Sequence, residues 1–292
     1  MSQSILTALN FATSLLKEKN IPNPRSTSEL FLSSILNLKR VDLYLNKEKI
    51  LSDKEREKLD SFLEQRISGA PIQYITKSTG FYGLEFKTDP RAMIPRPETE
   101  TLVSEVIKHF KKIKRESDAL KIADIGTGSG VIAITLAFEL KKSLVYATDI
   151  SKDALDLASE NAKINEVEKR IEYFLGNIFG PFDNRNLGNS FDCIVSNPPY
   201  VRDSDFENLD KEIKDFEPEA AFLCGDDGIN FHKKIAEDGI KYLKEGGLLA
   251  LEVALDDDEK LVEFLSSVLS YHNLRVVKDL AGIRRVVLGV KF

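Results

Sequence analysis

The chain is poor in the residues that build covalent or metal frameworks: 292 residues include two cysteines and three histidines. Cys193 and Cys224 cannot make a disulfide framework or a zinc cluster. Cys193 lies inside the apolar run Phe191-Asp192-Cys193-Ile194-Val195, where a buried reduced thiol is expected. His109, His232 and His272 are scattered without ligand spacing, so no metal is expected. Long apolar stretches are missing too; runs such as Val131 to Phe138 are too short to cross a bilayer. The opening Met1-Ser2-Gln3-Ser4-Ile5-Leu6 lacks a basic start, an apolar block and a small-residue cleavage site, so a cytoplasmic protein is expected. Internal repeats and low-complexity tracts are absent.

Positive charge is also in short supply. The formal net charge is -6, from 41 basic and 47 acidic residues. Residues 1–75 carry 11 Lys/Arg against 9 Asp/Glu, or +2, which leaves 30 against 38, or -8, for the remainder. A protein that grips phosphates usually shows the opposite sign. The basic stretch Lys108 to Lys121 precedes the first glycine-rich strand and is expected on a helix away from any site there. Direct nucleic-acid binding is therefore not expected.

What is present suffices for a sizeable core, since 42% of residues are hydrophobic, and the length suits two domains. Ile5, Leu9, Ala12 and Leu16 recur at helical spacing. After the break at Asn20 to Pro24, Ser26 or Ser28 offers an N-cap for a second helix carrying Leu30, Phe31, Ile35 and Leu36. Ser52 and Glu55 have capping-box spacing before Leu59, Phe62, Leu63 and Ile67. Residues 1–75 thus read as a small helical domain. Residues 76–95, with Gly80-Phe81-Tyr82-Gly83, suggest a β-hairpin linker. From 96 to 292 strands alternate with helices, with strands expected at 121–126, 143–149, 171–175, 191–196, 248–254, 272–278 and 284–290. That pattern predicts an α/β fold: a doubly wound, mostly parallel, seven-stranded sheet. The short link between the last two strands requires an antiparallel final strand.

Gly126-Thr127-Gly128-Ser129-Gly130 joins the strand Ile122 to Ile125 to an apolar helix. Glycines there let a ligand approach the main chain. The third glycine comes one residue too early for a dinucleotide fingerprint, and the Gly-Lys-Ser/Thr ending of a P-loop is missing. Asp149 ends the next strand, placed to accept ribose hydroxyls at the same carboxyl edge. A nucleoside without a pyrophosphate satisfies this pattern, and S-adenosylmethionine is the common one.

Ser196-Asn197-Pro198-Pro199-Tyr200 follows the strand Phe191 to Val195. Asn-Pro-Pro-Tyr resembles the catalytic motif of methyltransferases that alkylate planar nitrogens: adenine N6, cytosine N4 and the glutamine side-chain nitrogen. An amide NH2 is a weak nucleophile because its lone pair is delocalised. Acceptors placed on its hydrogens let it pyramidalise, and the Asn197 side-chain oxygen and the Pro198 carbonyl can serve. Two prolines stiffen the loop without adding N–H groups. Tyr200 offers an aromatic face to the planar group.

The stretch Ile94-Pro95-Arg96-Pro97-Glu98-Thr99-Glu100-Thr101-Leu102-Val103 resembles a signature of the HemK/PrmC family, glutamine N5-methyltransferases acting on peptide chain release factors. Pro71 to Ile75, Phe81 to Phe86, Glu217 to Leu223, Gly225 to Gly228 and Lys278 to Val287 resemble further blocks in the same order. The resemblance spans about residues 70–292, while the helical domain fits by type. It implies catalysis and substrate binding by Asn197, Pro198, Pro199 and Tyr200. Arg96, between two prolines, is expected chiefly to tie down a loop, with some substrate contact. Cofactor contacts would come from Gly126, Thr127, Gly128, Ser129, Gly130, Asp149, Asn177, Ile178 and Asn197, and the product would be S-adenosylhomocysteine. The helical domain would hold a release factor, and a monomer without membrane attachment is expected. Departures are Asn177 and Ile178, where an acid and an aromatic often stand. Others are Gly228-Ile229-Asn230, and Glu252-Val253-Ala254 before the acidic run Asp256 to Glu259. These are expected to touch adenine contacts and the back of the sheet. Residues 201–220, with 8 acidic and 3 basic residues, are expected to rim a mouth suited to a basic protein surface. Rival readings are an adenine-N6 methyltransferase of DNA or RNA, a glutamine methyltransferase of a ribosomal protein, and a nucleoside-binding adaptor without activity.

Overall fold

The computed structural model describes residues 3–113, 119–268 and 270–292. The chain separates into two compact units, Met1–Lys77 and Ser78–Phe292. The first contains α1 (Ile5–Glu18), α2 (Pro24–Leu36), α3 (Arg40–Leu45), α4 (Asp53–Ile67) and α5 (Ile72–Thr76). Ile5, Leu9, Ala12 and Leu16 form the buried stripe of α1. The capping box of α4 is present: Ser52 N–H donates to Glu55 Oε2 at 2.7 Å and Glu55 N–H to Ser52 Oγ at 3.3 Å. Helix α2 begins earlier than a serine cap at 26 or 28 would place it. Pro24 starts it behind a left-handed Asn23, because proline's fixed φ suits the first helical position. Ser28 lies inside and donates to the Pro24 carbonyl at 2.8 Å. Leu30 is correspondingly exposed, whereas Phe31 and Leu32 are buried.

The second unit opens with a hairpin, β1 (Ser78–Phe81) and β2 (Leu84–Lys87), followed by α6 (Thr99–Lys112). Phe81 and Phe86 belong to this unit's core, packed with Leu102, Val106 and Phe110. Helix α6 carries the start of the basic stretch 108–121; residues 114–118 of that stretch lie outside the described residues. Then come β3 (Lys121–Ile125), α7 (Val131–Glu139), β4 (Leu144–Asp149), α8 (Lys152–Ile164), β5 (Ile171–Leu175) and β6 (Phe191–Ser196). The chain ends with α9 (Lys211–Phe216), α10 (Asn230–Gly239), β7 (Leu243–Glu252), α11 (Asp258–Ser267), β8 (Tyr271–Lys278) and β9 (Arg284–Lys291).

Among the described residues, seven strands form one sheet in the order β5-β4-β3-β6-β7-β9-β8, with β9 antiparallel to both neighbours. The fold is the expected doubly wound one, and its order reverses between β3 and β6. Alternate residues of these strands face two cores: Ile122, Cys193 and Val195 one way, Ala123, Ile125 and Ile194 the other. Every residue of β6 is buried, as helices on both faces of a parallel sheet require. Strand β7 starts at Leu243, five residues before the expected 248. Its Gly246-Gly247 step opposes a register shift on β6 between Phe191 and Cys193, so polar residues hid the beginning of the strand.

Candidate active site

The carboxyl ends of β3, β4, β5 and β6 surround a cavity of about 460 Å³, well within the size of small-molecule sites. Its floor is the glycine loop. Thr148 O accepts from both Gly126 N–H and Thr127 N–H at 2.9 Å, hooking the loop onto β4. Asp124, fully buried on β3, holds it from below: its Oδ2 accepts from Thr127 Oγ1 at 2.6 Å and from Ala133 N–H at 3.1 Å. Burial pushes the Asp124 carboxyl up to about 7, against the pull of those two donors.

Gly126, Gly128 and Gly130 all adopt positive φ, at 73°, 56° and 86°, angles costly for other residues. Their surroundings differ. A Cβ on Gly126 or Gly128 would meet no atom within 4 Å. One on Gly130 would stand 2.9 Å from Ile134 Cδ1 and 3.0 Å from Ala158 Cβ. The first two glycines leave space beside the cavity, whereas the third seats α7 against α8.

Asp149 is half-buried at the end of β4. Its Oδ2 accepts from Gly128 N–H at 2.8 Å and its Oδ1 from Ser151 N–H at 2.9 Å. Burial raises its carboxyl above the ordinary range, partly offset by these backbone donors. Each oxygen keeps capacity for a further donor. Gly176, Asn177 and Ile178, beyond β5, complete this wall. Ile178 is buried with φ 50°, a conformation rare for a β-branched side chain and of the kind that collects at ligand clamps.

On the other side, Ser196 Oγ donates to Ile125 O at 2.6 Å, tying β6 to β3 where the crevice opens. Asn197 follows immediately and is half-buried; its Nδ2 donates to Thr99 Oγ1 at 3.2 Å. Pro198 and Pro199 also line the cavity. Arg96 lines it as well, with its guanidinium on the buried Glu217 Oε1 at 2.5 Å. Glu217 Oε2 accepts from Ile94 N–H at 2.9 Å. One carboxylate therefore clamps both sides of Pro95.

Of the residues singled out from the sequence, only Gly130 and Tyr200 are outside the cavity wall. Tyr200 has Glu252, Arg285, Arg96 and Glu98 as charged neighbours, and burial raises its phenol. The expected acidic rim is only partly realised. From residues 201–220 the wall takes Pro218 and Ala220. Glu217 is spent on the clamp, while Glu207, Asp205 and Asp215 pair with Lys214, Arg202 and Lys211.

Residues 7–76 match the family model described as PrmC N-terminal domain, and residues 100–214 match Methyltransferase small domain. The release factor glutamine methyltransferase of Chlorobaculum tepidum is 36% identical over 277 residues, covering 94% of this chain and 93% of the relative. The relative so named from Koribacter versatilis is 36% identical over 284 residues, covering 97% of each. The chain belongs to the release factor glutamine methyltransferase family. The catalytic domain of hMettl16, solved in complex with MAT2A 3'UTR hairpin 6, is 14% identical with a TM-score of 0.53, covering 83% of this chain and 84% of that one. That likeness shows the fold alone.

Within this family frame, sequence reasoning missed two residues beside Asn197. Thr99 stood in the quoted proline-rich signature without a role. Glu252, expected at the back of the sheet, instead stands where Thr99 and Asn197 both act on its carboxylate and lower its pKa. The pairing of β6 with β7 was the signal that could have found it.

Proposed function

We propose that this protein methylates the side-chain amide nitrogen, N5, of the glutamine in the Gly-Gly-Gln motif of class 1 peptide chain release factors. S-adenosylmethionine would be consumed, and S-adenosylhomocysteine and one proton, lost from the amide nitrogen after the transfer, released. One observation carries the reading: a cavity with a nucleoside-type wall also receives Asn197, whose amide nitrogen is already engaged by Thr99.

The residues present fit the cofactor. Gly126 and Gly128 are open where a Cβ would otherwise stand, and Asp149 has acceptor capacity left on both oxygens. Asp149 would hold the ribose hydroxyls, Ile178 and Asn177 the base, and the glycine loop the remainder. When bound, the cofactor supplies a methyl group made electrophilic by its sulfonium.

The chain's own part is orientation. Asn197 Oδ1 and the Pro198 carbonyl would accept from the two hydrogens of the substrate amide, drawing its nitrogen out of conjugation. The double proline keeps that loop from relaxing around an empty site. The Glu217 clamp on Ile94 and Arg96 fixes the opposite wall. Rate would come from positioning and charge complementarity, with no carboxylate removing a proton before transfer. Tyr200 would bear on the substrate from beside the wall.

In this reading residues 1–75 recognise the release factor, 76–95 connect, and 96–292 catalyse, as a cytoplasmic monomer. No helix among the described residues is long and apolar enough to cross a membrane. Incubation with S-adenosylmethionine and a purified class 1 release factor, followed by peptide mass spectrometry, tests the reading. A single added methyl on the Gly-Gly-Gln glutamine is expected. An unmodified release factor alongside methylated adenine in added DNA or RNA, or a methylated ribosomal protein, would overturn it.

A further inference from the structure

Asn197 and Glu252 are neighbours by register. Ser196 of β6 stands opposite Leu251 of β7, so the next residue on each strand emerges side by side at the carboxyl edge of the sheet. Glu252 remains paired with Val286 of β9, and its backbone carbonyl accepts from His232 Nε2 of α10 at 2.7 Å. The strand end is thus held on two sides. Its side chain is a carboxylate only 1% exposed, and Oε2 has no hydrogen-bond partner among the described residues. Thr99 and Asn197 both stand near enough to that carboxylate to pull its pKa down, and Asn197 Nδ2 donates to Thr99 Oγ1 at 3.2 Å. Burying an acid is costly, and the sheet alone does not require one here.

A side-chain amide carries donors at one end and an acceptor at the other. An ionised carboxylate only accepts, so beside Glu252 one orientation of Asn197 is favoured: nitrogen inward, Oδ1 outward. The flipped amide would set oxygen against carboxylate and present NH2 to the NH2 of the substrate. We infer that Glu252 is a positioning residue which, directly and through Thr99, sets the orientation of the Asn197 amide and so keeps its oxygen turned to the substrate nitrogen. The inference rests on the glutamine-methylation reading above.

The charge state of Glu252 then matters. Burial pushes its carboxyl up to about 7, with Glu98 pushing the same way and Thr99, Arg285 and Asn197 pulling it down. Tyr200, itself raised by burial and by Glu252, is a further titratable side chain facing it among the described residues. His232, which meets the Glu252 carbonyl, is held down to about 4 by its own burial and stays neutral. A protonated Glu252 could donate to Asn197 Oδ1, and the orientation would no longer be enforced. Turnover should therefore fall on the acid side of neutrality.

The test uses the full chain, a class 1 release factor and S-adenosylmethionine, with kcat and KM measured across pH and cofactor affinity by titration with S-adenosylhomocysteine. Glu252→Gln, which can satisfy either amide orientation, should lower kcat about tenfold or more and abolish the acid limb. KM and cofactor affinity should stay within about twofold of the parent. Thr99→Ser should retain activity, while Thr99→Val should lose it in the same proportion as Glu252→Gln. A Glu252→Gln protein with parental kcat and an intact acid limb would overturn the inference. Should that variant not fold, Thr99→Val matching Thr99→Ser in kcat would do so instead. If the parent protein methylates no glutamine at all, the glutamine reading itself fails and takes this inference with it.

Discussion

The β3–β4 half of the crevice is held mainly through backbone, the β6–β7 half through side chains. In the first, Thr148 O and the carboxylates of Asp124 and Asp149 gather main-chain N–H groups of the glycine loop and the turns beside it. In the second, Asn197 donates its side-chain amide to Thr99, and both side chains stand beside the buried Glu252 carboxylate. Each half buries an acid pushed up to about 7, Asp124 in one and Glu252 in the other. Asp124 fixes a loop and Glu252 faces an amide. A site for a cofactor tolerates many side chains provided the main chain keeps its path, whereas a site for chemistry depends on which atom of one amide faces out.

The sharpest way to separate the halves is Asn197→Ala. It should cut kcat by roughly 10²–10³ and leave cofactor affinity, read by titration, within about twofold. A comparable loss in both quantities would mean that the halves are not separable.

Asp124 adds a pH signature to the other half. Burial pushes its folded carboxyl up to about 7, from the 3.8 of an ordinary aspartate. Stability from this group is therefore full below about pH 4 and falls as pH rises toward 7, because the unfolded chain ionises first. Asp124→Asn removes the loss, so its stability relative to the parent should climb across that window by on the order of 3 kcal/mol. His232, held down to about 4 from 6.5, opposes this. It costs stability as pH falls from 6.5 toward 4, and His232→Gln should gain on the parent in that direction. Denaturant titrations at several pH values read both slopes, and parallel curves would contradict the assignments.

Next in size, Asp149→Ala should weaken cofactor binding about tenfold to a hundredfold while kcat at saturating cofactor stays within a few-fold. The smallest contrast lies within the loop. Gly126→Ala costs about 1–2 kcal/mol from its backbone angle alone. Gly130→Ala adds crowding against Ile134 and Ala158, worth about another 1–2 kcal/mol. Thermal unfolding should rank Gly130→Ala as the less stable.

The cofactor half was legible in the sequence because backbone constraints leave a local signature. The positive φ at Gly126, Gly128 and Gly130 favours glycine at each, and Asp149 follows at the end of the next strand. Asn197 and its prolines were legible for the same reason. Thr99 and Glu252 were not, since they meet Asn197 from 98 and 55 residues away, across a register fixed by packing. Strand β7 compounded this: Lys244, Glu245 and two glycines disguised its beginning. In the helical unit, the Ser52–Glu55 cap could be read directly, whereas the start of α2 went to Pro24 because a proline at the first position outweighed the serines behind it.

The structure of the protein with S-adenosylhomocysteine and a Gly-Gly-Gln peptide tests the account most directly. It should place the glutamine side-chain nitrogen at about 2.7–3.2 Å from Asn197 Oδ1 and the Pro198 carbonyl, with Asn197 Nδ2 still on Thr99. A glutamine bound away from Asn197, or an Asn197 amide turned with its nitrogen toward the peptide, would contradict it.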